Sequence, residues 1–405
     1  MKILSIVRRS LLFPLSIQLV NYLEIHACEC PLPTPKTYTS YRRSGEVEID
    51  GKLDEETWDR VPWTESFGNV FGEGEQFPSP PENIESKVKL IWDEDYLYVG
   101  AILMDPVIRA LESEAVLGET FEDNTFQLYL DHDRTNHNYK VIQMNPNGVY
   151  KSTIYNKPPS DDGFESWWDL GPDFEYKIYT HGEINNKDWK PVKNGYWSVE
   201  MKIPVDRLSV KVFNSLGLRK RAEDSQLLPT YMNLNFLRTG FPPKGVVNLQ
   251  PQSTGTTQST TSNFFLFGLG SFNTLLKRHE VGPKYQTSWS PLHSNDIHHP
   301  ELWGQVMFRN TTNTYKPFVP DPSYPTRFAL MQIYYGEKSY AEKHDGIYTE
   351  DYEDLLVESQ LVADCIGPLK IRTSEAGTSY EASIRYRKQT GHIREDRYLH
   401  FTDNH

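Results

Sequence analysis

Cysteine is scarce in this chain: three in 405 residues, with Cys28 and Cys30 close together and Cys365 far away. An odd, scattered set cannot build a disulfide framework, and no second Cys-x-x-Cys or histidine pair completes a zinc pattern. Stability must come from packing. Basic charge is also short, since 42 Lys and Arg against 55 Asp and Glu leave a net charge of −13. Such a chain lacks the basic field that holds phosphate backbones, so no nucleic-acid partner is expected. No apolar run reaches the ~20 residues that span a bilayer. Gly-x-Ser-x-Gly, a phosphate loop and His-Glu-x-x-His are all missing, which leaves acyl transfer, nucleotide chemistry and zinc proteolysis without a motif.

Aromatic residues are plentiful: 24 Tyr, 19 Phe and 9 Trp. They suit a β-rich fold, a sugar-stacking surface or a large core. At the amino terminus Lys2, Arg8 and Arg9 precede a short apolar stretch, Leu11 to Val20, and Ala27 stands just before Cys28. That order reads as a secretion signal over residues 1–27, which predicts a secreted or cell-surface protein. Residues 28–45 form a lead-in.

From Glu46 the chain reads as many short strands. Tyr96 to Met104 is nearly continuous in apolar residues, as in a strand buried on both faces. Phe126, Leu128 and Leu130 alternate with Gln127 and Tyr129, and Trp197, Val199, Met201 and Ile203 alternate with Ser198, Glu200 and Lys202. With no helices between them, these strands predict an all-β fold: an antiparallel, immunoglobulin/jelly-roll-like β-sandwich over 46–310. Polar insertions are expected near 214–230 and 242–284. A Pro-rich linker at 311–325 leads to a small α+β tail at 326–405. Its first helix should run from Arg327 to about Lys343, and Thr349 can cap a second.

The ordered blocks resemble a known family. Ile49-Asp50-Gly51-Lys52-Leu53-Asp54-Glu55-x-x-Trp58 and Pro62-Trp63 are followed by Val88 to Asp93 and Tyr96 to Val99. Asp123-Asn124-x-Phe126, Asn136 to Tyr139, Trp197 to Glu200 and Asn233-x-Asn235-Phe236-x-Arg238 continue the match. Trp289-Ser290-Pro291 and Asp296-x-His298-x-Pro300-Glu301-x-x-Gly304 close it. Together they resemble the family 9 carbohydrate-binding-module-like domains. The resemblance implies a β-sandwich, carbohydrate binding without catalysis, and a place in carbohydrate catabolism. It also implies ring positions at Phe121 and Ile297, with Gln127, Gln143 and Asn145 where family members hold sugar hydroxyls.

Sugars offer apolar CH faces to aromatic rings and hydroxyls to planar amides. The candidate contacts are therefore Phe121, Gln127, Tyr129, Gln143, Asn145, Trp167, Trp168 and Trp289. Trp58, Trp63, Trp92 and Trp197 follow strand or turn spacing and read as core. His293, His298 and His299 raise the idea of zinc, but neighbouring strand residues point to opposite sides. Calcium suits an exported acidic sandwich better, with Asp123, Asp131 and Asp133 as oxygen donors. Two other readings stay open, a glycoside hydrolase using carboxylates such as Glu165 or Glu200, and a surface interaction protein that has lost sugar binding. Asn310-Thr311-Thr312 is a glycosylation sequon.

Overall fold

The computed structural model describes Leu32 and residues 34–72, 82–119, 121–185, 191–209, 228–241, 284–294, 296–311, 316–355 and 367–403. The predicted signal at 1–27, the three cysteines and most of both predicted insertions lie outside the described residues.

Thirteen strands among the described residues form one sheet. They begin with β1 (Thr37–Arg42), β2 (Gly68–Asn69), β3 (Ser86–Trp92) and β4 (Tyr96–Met104). A hairpin array comes next, β5 (Thr125–Asp131), β6 (Tyr139–Met144), β7 (Tyr150–Tyr155) and β8 (Glu165–Trp167). Then come β9 (Glu175–His181), β10 (Tyr196–Pro204), β11 (Tyr231–Gly240), β12 (Tyr285–Ser288) and β13 (Gly304–Arg309). The sheet order is β8-β7-β6-β5-β11-β13-β1-β3-β4-β10-β9, with β12 beside β11 and β2 beside β12. It curls into the expected β-sandwich. The leaf from β8 to β11 closes on the leaf from β3 to β9.

The inward alternation on each strand fills the space between leaves. Phe126, Leu128 and Leu130 of β5 meet Val88 and Leu90 of β3, Val199 and Met201 of β10, and Phe236 of β11 in one buried cluster. Phe236 stacks with Phe126, ring centroids 5.8 Å apart, and with Phe67 at 6.1 Å. Burial of this kind stabilises by roughly 1.5–3 kcal/mol per large apolar side chain.

One feature departs from an antiparallel plan. The lead-in contains β1, which pairs in parallel with both β13 and β3 and thereby joins the two leaves. Its sequence, Thr-Tyr-Thr-Ser-Tyr-Arg, carries no apolar alternation. It is held instead by Tyr38 and Ser40 hydroxyls, which donate to the carbonyls of Pro62 and Leu90.

The tail packs a helix, here α1 (Tyr324–Ala341), on a separate four-stranded sheet. The strands are β14 (Leu369–Thr373), β15 (Tyr380–Tyr386), β16 (Gln389–Arg394) and β17 (Leu399–Asp403). Leu330, Ile333 and Tyr334 of α1 meet Ile371, Ile384 and Ile393 in its core. Thr349 accepts the Asp351 amide as a cap would, but the segment it caps is a short 3-10 turn, Tyr352–Leu355; residues 356–366 lie outside the described residues.

The tail is fastened to the sandwich by buried charge. Arg397 lies 2.9 Å from Asp161 and 3.4 Å from Glu301, and its guanidinium also covers the Tyr334 ring. The Tyr334 and Tyr335 hydroxyls donate to Asp161 and Glu301 respectively. Arg134 pairs with Asp321 at 2.7 Å, and the Leu399 amide donates to the Thr135 carbonyl.

Candidate functional site

Several motifs that carry the family resemblance are internal anchors. Glu200, expected to face outward, is fully buried. Its carboxylate accepts the amides of Asp50 and Gly51 and the indole N–H of Trp58 at 2.8 Å, tying the 49–58 motif onto β10. Burial raises its pKa to about 7, and the three donors pull the other way. Arg238, also fully buried, sits 3.1 Å from Asp105 and donates to the carbonyls of Ile84 and Met104. These polar groups hold loops against the sheet.

The outer face of β5 to β8 is different. Strand pairing sets Gln127 opposite Gln143, and Gln143 opposite Lys151. The next row is Tyr129, Val141, Thr153 and Trp167, and the one after it brings Tyr139, Tyr155 and Glu165 together. Directly paired residues project from the same side, so these three rows share one face, opposite the core. Of the expected patch, Gln127, Gln143 and Asn145 with Tyr129 adjoining, all but Asn145 share this face, and Trp167 joins them. Lys151 and Tyr155 also belong to it, although sequence reasoning passed over them. The signal was there in the alternation Lys151, Thr153, Tyr155 along one strand.

Two segments cover parts of this face. Val70, Phe71, Leu292, Ile297 and Trp303 pack over Tyr129, Tyr139 and Val141 in a second small core. His298 joins them, its ring 4.5 Å from that of Tyr155, and its Nδ1 bonds the Tyr139 hydroxyl at 2.8 Å. At the other end the loop before β5 approaches β7 and β8. Lys151 donates to the Glu119 carbonyl at 2.7 Å, and Glu165 accepts the Gly118 amide at 2.6 Å. Between that loop and the sheet lies a cavity of about 300 Å³ walled by Glu112, Glu119, Phe121 and Lys151.

The candidate sugar contacts divide sharply. Trp167 is 54% exposed, and no described residue accepts a hydrogen bond from the Gln143 amide or donates one to it. Gln127 is already engaged: it accepts the Tyr129 hydroxyl at 2.7 Å and donates to Thr125 and Thr239. Phe121 is mostly buried but lines the cavity.

Four expected contacts require correction. Tyr129 is 5% exposed, packed against Trp303, and its hydroxyl is spent on Gln127, so its ring offers no face to a sugar. Asn145 is fully buried, with its amide donating to Glu112 and Asp123 and its oxygen accepting from Asn147 and Val149. All four positions of that carboxamide are filled, so it braces a turn and has no valence for a sugar. Trp168 turns inward next to Trp167; it belongs to the main core and donates to the Arg207 carbonyl. Trp289 is 1% exposed and packs against Phe236 under Gly304. A ring with no free face cannot stack on a pyranose.

The expected metal ligands do not converge on one point, although Asp131 and Asp133 are neighbours. His293 bonds the Phe71 carbonyl, His298 faces the tyrosines, and His299 lies between Asp296 and Glu301. Asp123 accepts the amides of Leu111 and Glu112, whereas Asp131 accepts that of Asn136 and Asp133 that of Thr135. Among the described residues, no three His, Cys, Asp or Glu side chains converge as a metal would require.

Residues 49–227 match the family model described as carbohydrate family 9 binding domain-like. That stretch of the chain is similar to the family. The sandwich continues past the matched residues, since β11, β12 and β13 complete its sheet. Over 87 residues the chain is 32% identical to endo-1,4-beta-xylanase A of Thermotoga maritima, a match covering 22% of this chain and 7% of that enzyme. It thus spans a small fraction of the length of that curated relative.

Among solved structures, a family 9 carbohydrate binding module from Caldicellulosiruptor kristjanssonii in complex with cellotriose is 15% identical, covering 70% of this chain and 100% of its own, with a TM-score of 0.35. The module from the same organism in complex with glucose is 15% identical over 69% of this chain and 100% of its own, with a TM-score of 0.33. A putative carbohydrate-binding protein from Bacteroides uniformis is 14% identical over 68% of this chain and 100% of its own, with a TM-score of 0.41. Among the described residues, no helix is long and apolar enough to cross a membrane.

Proposed function

We propose that this chain is a non-catalytic carbohydrate-binding protein that takes its glycan on the outer face of β5 to β8. One juxtaposition carries the reading: the exposed Trp167 ring shares a face with the unclaimed Gln143 amide and with Lys151. A half-free indole offers a pyranose CH face its stacking surface, and the amide and ammonium suit its hydroxyls. Phe121 forms an adjoining wall. The family 9 match supports the same ligand class.

A non-catalytic role is supported by the fate of the two carboxylates singled out in the sequence. Glu165 and Glu200 lie in different leaves of the sandwich, and each is engaged by framework donors. A glycosidase requires its pair ~5–10 Å apart across one cleft. The test is a glycan array probed with the purified chain, alongside Trp167→Ala. Retention of at least one glycan, lost in the variant, supports the reading; a folded chain that retains none refutes it.

We also propose export. Lys2, Arg8 and Arg9 ahead of the Leu11 to Val20 stretch support a cleaved signal, and exposed Asn310 is an acceptor where the host glycosylates. Amino-terminal sequencing of the cell-derived protein should begin near Cys28; an intact start would contradict export.

A further inference from the structure

A second cavity, of about 190 Å³, lies away from the β5 to β8 face, where the sandwich meets the tail. Its sandwich wall includes Gln305 of β13 and Asn233 of β11, which are directly paired. Its tail wall comes from one side of α1, through Phe328, Met331, Gln332 and Tyr335. Ligand cavities occur preferentially at such junctions between packed bodies.

The polar groups in this cavity are unevenly used. Asn233 is spent, accepting from Arg134 and donating to the Pro300 carbonyl. Gln305 is not: it is 5% exposed, yet no described residue hydrogen-bonds its carboxamide. Its strand neighbours Gly304 and Val306 belong to the interior side of β13, so Gln305 projects toward the tail. Gln332, half-buried on the opposite wall, also has a carboxamide with no described partner. Two unspent carboxamides facing one cavity with apolar walls point to an occupant that satisfies them.

Most charges around the cavity are ion-paired. Arg134 pairs with Asp321, Glu301 with Arg397, and Lys36 with Glu65; Arg327 donates to the Arg134 carbonyl and covers the Phe401 ring. Arg327 has no ion pair among these and is held by that carbonyl and ring. Carboxamides both donate and accept, which matches hydroxyls, and Phe328, Met331 and Tyr335 supply an apolar surface.

We propose that this junction cavity is a second binding site, for one neutral polyhydroxylated ring of monosaccharide size, clasped between Gln305 and Gln332. Because it touches both bodies, its occupant stabilises the docked tail.

The test is isothermal titration of the full chain with glucose, xylose and N-acetylglucosamine, repeated on Trp167→Ala, Gln305→Leu and Gln332→Leu. The expected result is a monosaccharide-binding event that survives Trp167→Ala and weakens at least tenfold in Gln332→Leu and Gln305→Leu. Gln332 is partly exposed on a helix, so its variant keeps the test valid should Gln305→Leu fold poorly. No heat with any of the three sugars at millimolar concentration overturns the proposal. So does binding that Trp167→Ala abolishes and both Gln variants retain, which would assign all of it to the β5 to β8 face. A crystal soaked with the sugars that shows only ordered water between Gln305 and Gln332 overturns it equally.

Discussion

Trp167 and Trp168 are adjacent in the chain and opposite in environment: the first is 54% exposed and the second only 7%. Trp167 is the last residue of β8, paired with Thr153 on the outer face, whereas Trp168 enters the main core. Truncating the two rings should therefore have separable consequences. Trp168→Ala is expected to cost ~3–5 kcal/mol, the range for losing a core aromatic. Trp167→Ala should stay within ~0.5 kcal/mol of the parent, as exposed positions do. Urea unfolding of both variants checks this, and equal losses would contradict the assignment of one ring to the core and one to the surface.

Arg397 is the buried cation that joins the tail to the sandwich. Removing it as Arg397→Met leaves Asp161 with Lys338 and Glu301 with His299, but strips both of their shared buried guanidinium. Breaking a buried pair from one side destabilises by ~3–5 kcal/mol. Chemical unfolding should show that loss, and limited proteolysis should release the tail first. A variant as stable as the parent would mean that the tail docks without this network.

Gly304 sits where a β-carbon would run into the Trp289 ring. Gly304→Ala should thus lower stability by ~1–3 kcal/mol through overpacking. Glycan binding should persist wherever the variant folds, since Trp289 is interior. Thermal unfolding and the glycan array together decide it; a binding loss without a stability loss would return Trp289 to the ligand.

Protonation gives a further signature. Burial alone would lower the His299 pKa, but Asp296 and Glu301 hold it above its ordinary 6.5, at about 9. Between pH 6.5 and 9 the native state therefore keeps a proton that the unfolded chain releases. Stability from this group is full below pH 6.5 and is lost as pH rises toward 9. Glu200, raised to about 7, acts in the same direction up to that pH. The unfolding temperature should fall from pH 6.5 to pH 8, and His299→Gln should flatten the slope. A parent profile that is flat or rising across that window contradicts the ion-pair assignment.

The fold was readable where apolar residues ran on or alternated strongly. Tyr96 to Met104 occupies the expected strand residue for residue, and Trp197 to Ile203 fall within β10. It was hidden where polar side chains build strands: β1 is held by Tyr and Ser hydroxyls, and β16, Gln-Thr-Gly-His-Ile-Arg, has almost no apolar pattern. For the site, strand period correctly placed Gln127, Gln143 and Tyr129 on one face. It could not tell that Asn145 turns inward at the strand end to fill all its hydrogen bonds, nor that Glu200 is capped by Trp58. Those outcomes depend on partners far away in the chain, such as Glu112 for Asn145 and Trp58 for Glu200, which no local pattern encodes.

The most direct test of the central claim is titration of the parent chain and Gln143→Ala with a glycan retained on the array. Saturable binding by the parent is expected, with at least tenfold weaker binding by Gln143→Ala and an unchanged unfolding temperature. Equal affinity in the two proteins would contradict the assignment of the β5 to β8 face as the carbohydrate site.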